Sequence, residues 1–115
     1  PTAWLTGFDK VRWDSDGLAP QAHGAILQAN LNQVFVACSS QAGVRGALEF
    51  LGSSVVADPF GRRALGPLPG DRDAVETVTV DLDETVRAQV RGPLITPRED
   101  RRTDLYGIWD GSQAL

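Results

Sequence analysis

Asn32-Gln33-Val34-Phe35-Val36-Ala37-Cys38-Ser39-Ser40 is the stretch on which the fold turns. It is apolar, β-branched and aromatic, too short for an independent helix and too apolar for an exposed edge. Such a run reads as a central strand buried on both faces, here Gln33 to Cys38. Upstream, Pro20 suits the first turn of a helix, where a missing N–H costs nothing. Gln21 to Leu31 reads as that helix, with Ala22, Ile26 and Ala29 on one face and Ala25 and Leu27 flanking it. Gly24 weakens it by about 1 kcal/mol relative to alanine, and the small residues suit close packing on a sheet.

Working outward, Pro1 to Leu5 reads as a strand end entering a long loop, Gly7 to Pro20, that carries Phe8 and Trp13. Long loops either work or move. After the central strand, Gln41 to Gly46 reads as a turn with two glycines. Phe50 to Ala57 reads as a second buried strand, with Ser53 to Ala57 as its apolar part. Asp58-Pro59-Phe60-Gly61 has the residue order of a tight turn, and Arg62 to Leu65 can return as a hairpin partner. Gly66 to Asp73 reads as a surface loop.

Glu76 to Val80 alternates polar and apolar residues, as a strand with one solvated face should. Asp81 then starts a helix, and Glu84 three residues on completes a capping box. Leu82, Val86 and Val90 mark one face, with Thr85 and Gln89 beside them, and Gly92-Pro93 stops the helix. From Leu94 the chain reads as an extended tail, 94–115, with a charged cluster at Arg98 to Arg102 and an apolar end at Leu105 to Trp109. The order of elements is an α/β layered pattern with too few strands to cover both faces of each sheet. The chain lacks methionine and begins at Pro1, so the expectation is a processed or truncated piece, half of a larger unit.

Composition narrows the function classes. The 115 residues fit one domain or part of one. A net charge of −4, with scattered charges, argues against a nucleic-acid surface. No apolar run reaches membrane-spanning length and nothing resembles a signal peptide. One cysteine makes no internal disulfide and, with one histidine, no Cys/His zinc site. A cytoplasmic protein without a metal is expected.

The candidate chemistry is sparse. Cys38 ends an apolar strand, where a free cysteine packs as a small hydrophobe; a thiolate would need a base or cation beside it. The one imidazole, His23, is separated from it by a helix and most of a strand. Ser39, Ser40, Ser53 and Ser54 lack a nucleophile elbow. Asp9, Asp14 and Asp16 lack the glycine and closing glutamate of a calcium loop. Trp4 and Trp13 either cover core edges or wall a ligand pocket.

Several stretches together resemble one family. Ala29-Asn30-Leu31-Asn32-Gln33 before the apolar strand is similar to an A-x-E-N-Q helix-to-strand passage. Phe50-Leu51-Gly52-Ser53-Ser54 with Asp58-Pro59-Phe60-Gly61-Arg62 resembles an F-x-G-x-S and D-P-x-G-R passage. Val80-Asp81-Leu82-Asp83, Asp100-Arg101-Arg102-Thr103-Asp104-Leu105-Tyr106 and Pro1-Thr2-Ala3-Trp4 complete the order. The family is the carbon–nitrogen hydrolase (nitrilase) superfamily. Leu31 stands where its glutamate is common, and Ser40-Gln41 replace a frequent Asn-Arg.

The resemblance implies an α/β fold, part of an αββα four-layer sandwich that is incomplete in this chain, which would be its C-terminal portion. It implies cleavage of an amide, nitrile or N-carbamoyl substrate by a Cys-Glu-Lys set lying upstream, with no cofactor. No residue of this chain matches those catalytic positions, and neither Lys10 nor Cys38 lies in the catalytic motifs. Thr2, Ala3 and Trp4 are the positions implied to line the substrate pocket. The implied assembly is a homo-oligomer, joined by C-terminal segments. The alternative is a non-catalytic α/β interaction module that associates through sheet edges and an aromatic tail.

Overall fold

Pro20 opens α1 (Pro20–Asn32), preceded by an extended Ala19 (φ −68, ψ 152). The computed structural model describes residues 2–7 and 16–105, so Phe8, Trp13 and the aromatic end at Tyr106 to Trp109 lie outside the described residues. The helix runs one residue further at each end than its pattern predicts. It closes when Gln33 enters the left-handed region (φ 57, ψ 44). The N–H groups of Gln33 and Val34 then donate to Asn30 O (3.4 Å) and Ala29 O (3.1 Å), satisfying carbonyls the last turn leaves open.

That closure corrects the reading of the strand that follows. β1 (Val36–Cys38) is three residues long and half-exposed, not a Gln33–Cys38 strand buried on both faces. The backbone of Gln33 and Val34 is committed to capping α1, so sheet pairing starts at Val36. Nor is it central. The three-stranded sheet has the order β1-β4-β5, with β4 (Val55–Ala57) and β5 (Arg63–Leu65). The strand between two neighbours is β4, which pairs antiparallel with β1 through Val36↔Ala57, Ala37↔Val56 and Cys38↔Val55. Its Val55 and Ala57 are buried, at 1% and 0% exposure.

The second correction concerns Phe50 to Ala57. It is two strands, in two sheets. Gly52 and Ser53 both adopt φ 60, which breaks the extended run. β3 (Leu48–Leu51) turns back on β2 (Ala42–Arg45) as an antiparallel hairpin, so most of the predicted Gln41–Gly46 turn is a strand. The short Ala-Gly-Val-Arg segment carries no alternation that would mark it. Gly46, with φ 61, takes the hairpin tip.

The Asp58–Gly61 turn and its hairpin form as predicted, with a register shift between Val56 and Ala57. Glu76 to Val80 is not a strand: it pairs with no strand among the described residues. Alternation alone makes a strand only where a sheet edge receives it. From Asp81 to Val90 the backbone makes successive helical turns, but regular helix is confined to α2 (Glu84–Arg87). The capping box is half made. Asp81 Oδ1 accepts from the N–H of Asp83 at 3.0 Å, while the Glu84 carboxylate turns to Arg62 (3.5 Å) and Arg87 (3.9 Å).

α1 packs across β1 and β4. Leu18, Ala22 and Val55 form the centre of that contact, with Trp4, Ile26 and Cys38 half-buried around it. One long helix with two antiparallel sheets is a mixed α/β arrangement, as part of an αββα sandwich requires.

Candidate functional site

Both sheets and the N-terminal segment converge on Gly52-Ser53-Ser54. The break after β3 forces the chain from one sheet to the other here, so its backbone groups need partners outside any ladder. Gly52 N–H donates to Gln41 O (3.0 Å), Ser53 N–H to Leu68 O (3.2 Å), and Leu68 N–H to Ser54 O (2.9 Å). The Gly66 to Asp73 loop, predicted as surface, is therefore half-buried from Gly66 to Gly70. Gly43 N–H also reaches Gly70 O at 2.8 Å. Its glycines and prolines mark close backbone packing as well as a turn, a signal that composition alone does not separate from a solvated loop.

The two serines act as ties. Ser53, fully buried, accepts from the N–H of Ala19 (2.9 Å) and donates to Gly17 O (3.2 Å). Ser54 Oγ accepts from the N–H of Ser40 (2.9 Å) and donates to Ser40 O (3.3 Å). Each hydroxyl proton is committed to a carbonyl. Ser53→Ala leaves the buried Ala19 N–H, at the start of α1, without its acceptor. The expected cost is about 2 kcal/mol, read as a lower denaturation midpoint with unchanged slope.

Thr2 to Thr6 stitches the sheets together. Thr2 N–H donates to Ser39 O (2.8 Å) and Gln41 N–H to Thr2 O (3.0 Å), running parallel past the end of β1. Leu51 N–H donates to Trp4 O (2.8 Å) and Thr6 N–H to Glu49 O (3.1 Å), antiparallel to β3. Of the positions predicted to line a pocket, Thr2 and Trp4 are half-buried and Ala3 is exposed. Trp4 packs against the core cluster of Leu18, Ala22 and Val55.

Several cavities flank the junction, among them one of about 380 Å³ lined by Ser40, Gln41, Ser54 and Leu68. Another, of about 320 Å³, is lined by Cys38, Ser39, Ser40, Ser54 and Glu76 among others. A third, of about 690 Å³, lies between β2, Glu49 and the 67–71 loop. Cys38 is half-buried, less enclosed than predicted, though it does pack on the core. His23 is exposed in the first turn of α1, and Lys10 lies outside the described residues. Among the described residues no group of three His, Cys, Asp or Glu side chains could hold a metal ion. No helix there is long and apolar enough to cross a membrane.

Beyond the junction the D-P-F-G-R turn carries a buried carboxylate, Asp58. Asp58, 5% exposed, accepts from the N–H groups of Phe60 and Arg62, both at 2.9 Å, and from Arg62 Nε at 2.6 Å. Burial pushes its carboxyl up, but these donors and the Arg62 charge outweigh it and hold the group below the usual carboxylate value. The Arg62 guanidinium lies 4.9 Å from the Phe60 ring centroid.

A protein-family model described as Carbon-nitrogen hydrolase matches residues 12–90. The matched span holds α1, both sheets, the junction and the turns around α2, and excludes Thr2 to Trp4. A search of curated proteins returned no match.

Proposed function

The chain belongs to the carbon–nitrogen hydrolase family, and from that premise we propose that it is the C-terminal portion of an enzyme cleaving an amide, nitrile or N-carbamoyl carbon–nitrogen bond. The match across both sheets and the junction supports this reading most directly. Ser53 and Ser54 serve as ties, each hydroxyl proton given to a backbone carbonyl. A cysteine–glutamate–lysine set from a preceding segment of the enzyme would supply the chemistry. The cysteine would attack the carbon, the glutamate would move the proton, and the lysine would stabilise the developing negative charge.

The role of this chain is then architectural at the site. The 2–6 segment, pinned between Ser39–Gln41 and β3, would present Thr2, Ala3 and Trp4 along one wall of the pocket. Trp4 is half-buried and also packs against the core cluster of Leu18, Ala22 and Val55. The enzyme is proposed to be cytoplasmic and homo-oligomeric.

The test is an assay of the chain alone, and of the chain joined to its preceding coding segment, against simple amides, nitriles and N-carbamoyl compounds. The chain alone is expected to show no turnover, and the joined protein to turn over one of the three classes. Turnover by the chain alone that Cys38→Ala abolishes would overturn the reading.

A further inference from the structure

The turn after Thr96 carries two arginines that the fold does not spend on ion pairs. Thr96 O accepts from the N–H groups of Glu99 (2.9 Å) and Asp100 (2.8 Å), and Asp100 Oδ2 accepts from the N–H of Thr96 at 2.7 Å. These bonds fix the backbone around Arg98 and Arg101. Arg62, Arg63, Arg72, Arg87 and Arg102 each pair with a carboxylate, and Arg91 donates to Asn30 at the end of α1. Arg98 and Arg101 pair with no carboxylate among the described residues. On an open surface two such side chains would simply be solvated. Here both line a cavity of about 580 Å³ between the end of α1, the turns around α2 and the Thr96 turn.

The lining defines a ligand. Among the described residues, Arg98 and Arg101 are its only charged members. Asp100 is turned to Thr96 and Asp104 to Arg102, and exposed Glu99 lies outside the lining. Half-buried Gln33 and Gln89 line the cavity as well, and a glutamine amide donates up to two hydrogen bonds. Leu31 and Val34, 53% and 42% exposed, add an apolar wall. The carboxyl end of α1 opposes an anion here, since a helix end carries about half a negative charge. Its Ala29 and Asn30 carbonyls, however, already accept from the N–H groups of Gln33 and Val34 and from Arg91, and two full positive charges outweigh the remainder. Guanidinium forks match the oxygens of phosphate and carboxylate groups, and the volume is that of a small-molecule site.

We propose that this cavity binds a small organic anion, a phosphate or carboxylate head on an apolar body. The head lies with Arg98 and Arg101, and the body with Leu31 and Val34. The site is at the opposite end of α1 from the Ser53–Ala19 tie, about 20 Å away for a helix of this length. It does not depend on the catalytic reading.

Calorimetric titration of the full chain at low salt tests it, with phenyl phosphate, benzoate, inorganic phosphate and uncharged benzyl alcohol as probes. Phenyl phosphate or benzoate is expected to bind at one site per chain, the tighter of the two identifying the head group. Benzyl alcohol is expected not to bind. Arg98→Ala and Arg101→Ala are each expected to weaken binding about tenfold. Arg45→Ala, at an exposed arginine of β2, should leave it unchanged. Leu31→Ser should weaken the aromatic anion and spare inorganic phosphate. Arg101→Lys keeps the charge and should recover part of what Arg101→Ala loses, which separates a lost contact from a misfolded variant. No binding of any anion at about 10 mM overturns the proposal. So does binding that Arg45→Ala weakens as much as Arg98→Ala does, or that benzyl alcohol matches.

Discussion

Gly52→Ala is expected to destabilise the protein by about 4 kcal/mol, enough to unfold a domain of ordinary stability or bring it to the edge of unfolding. Two effects add. Gly52 sits at φ +60, where a side chain costs about 1 kcal/mol or more. A Cβ there would also lie 2.5 Å from both Gly70 Cα and Pro69 O. Those atoms are backbone, so no rotamer change relieves the overlap. The loop must lift instead, and lifting it breaks the bonds from Gly43 N–H to Gly70 O and from Ser53 N–H to Leu68 O. Gly24→Ala is the control. It lies inside α1 with nothing within 4 Å of its Cβ position, and should stabilise by about 1 kcal/mol. Urea melts of both variants read the contrast. A Gly52→Ala protein as stable as the parent would mean the 66–70 loop does not pack on the junction.

This position also shows where the sequence was legible. Phe50-Leu51-Gly52-Ser53-Ser54 was visible as a motif, and the Asp58–Gly61 turn with its hairpin followed from residue order, because local turn chemistry is written in neighbouring residues. What Gly52 does was not legible. Its left-handed backbone splits one apolar run into strands of different sheets, and the reason lies eighteen residues away in Gly70. The Asn32–Ser40 run failed likewise. Its composition suits a strand, but the capping of α1 consumes its first backbone groups, and composition does not place it at the edge of the sheet. The face of Leu82, Val86 and Val90 was readable as a stripe. Which way it points was not, since Glu84 and Arg91 are held by contacts with remote Arg62 and Asn30. At the candidate site, Ser53 and Ser54 were visible within the motif, but their service as ties depends on Ala19 and Ser40, which the sequence does not mark as neighbours.

Replacing Asp58 by asparagine is expected to cost about 3 kcal/mol at neutral pH and to flatten the acid limb of the stability curve. In the parent, one carboxylate oxygen accepts from the N–H groups of Phe60 and Arg62, and the other accepts from Arg62 Nε at 2.6 Å. Asparagine can keep the first arrangement. Its amide NH₂ then faces Nε, donor against donor, in a site that is nearly closed to water, and the charge that balances Arg62 is gone. Turning the amide over loses the two backbone bonds instead. The Arg62–Glu84 contact would loosen with it, though Arg62 is largely exposed and that pair adds little. The pH dependence follows from the direction of the Asp58 shift. Its folded pKa is depressed, so the folded state holds the ionised form more tightly than the unfolded chain does. The stabilisation is present in full above the unfolded value, near 4, and is lost as pH falls through the folded value. Asp81 is also depressed, by its hydrogen bond from Arg87 and the N–H of Asp83, but it is exposed and both proteins share it, so the difference between them isolates Asp58. The measurement is the urea midpoint of parent and Asp58→Asn between pH 7 and pH 2. The two curves should converge as Asp58 in the parent takes up its proton, because the parent then also carries a neutral side chain against Arg62. Parallel curves across the whole range would show that Asp58 does not carry the acid sensitivity of this fold.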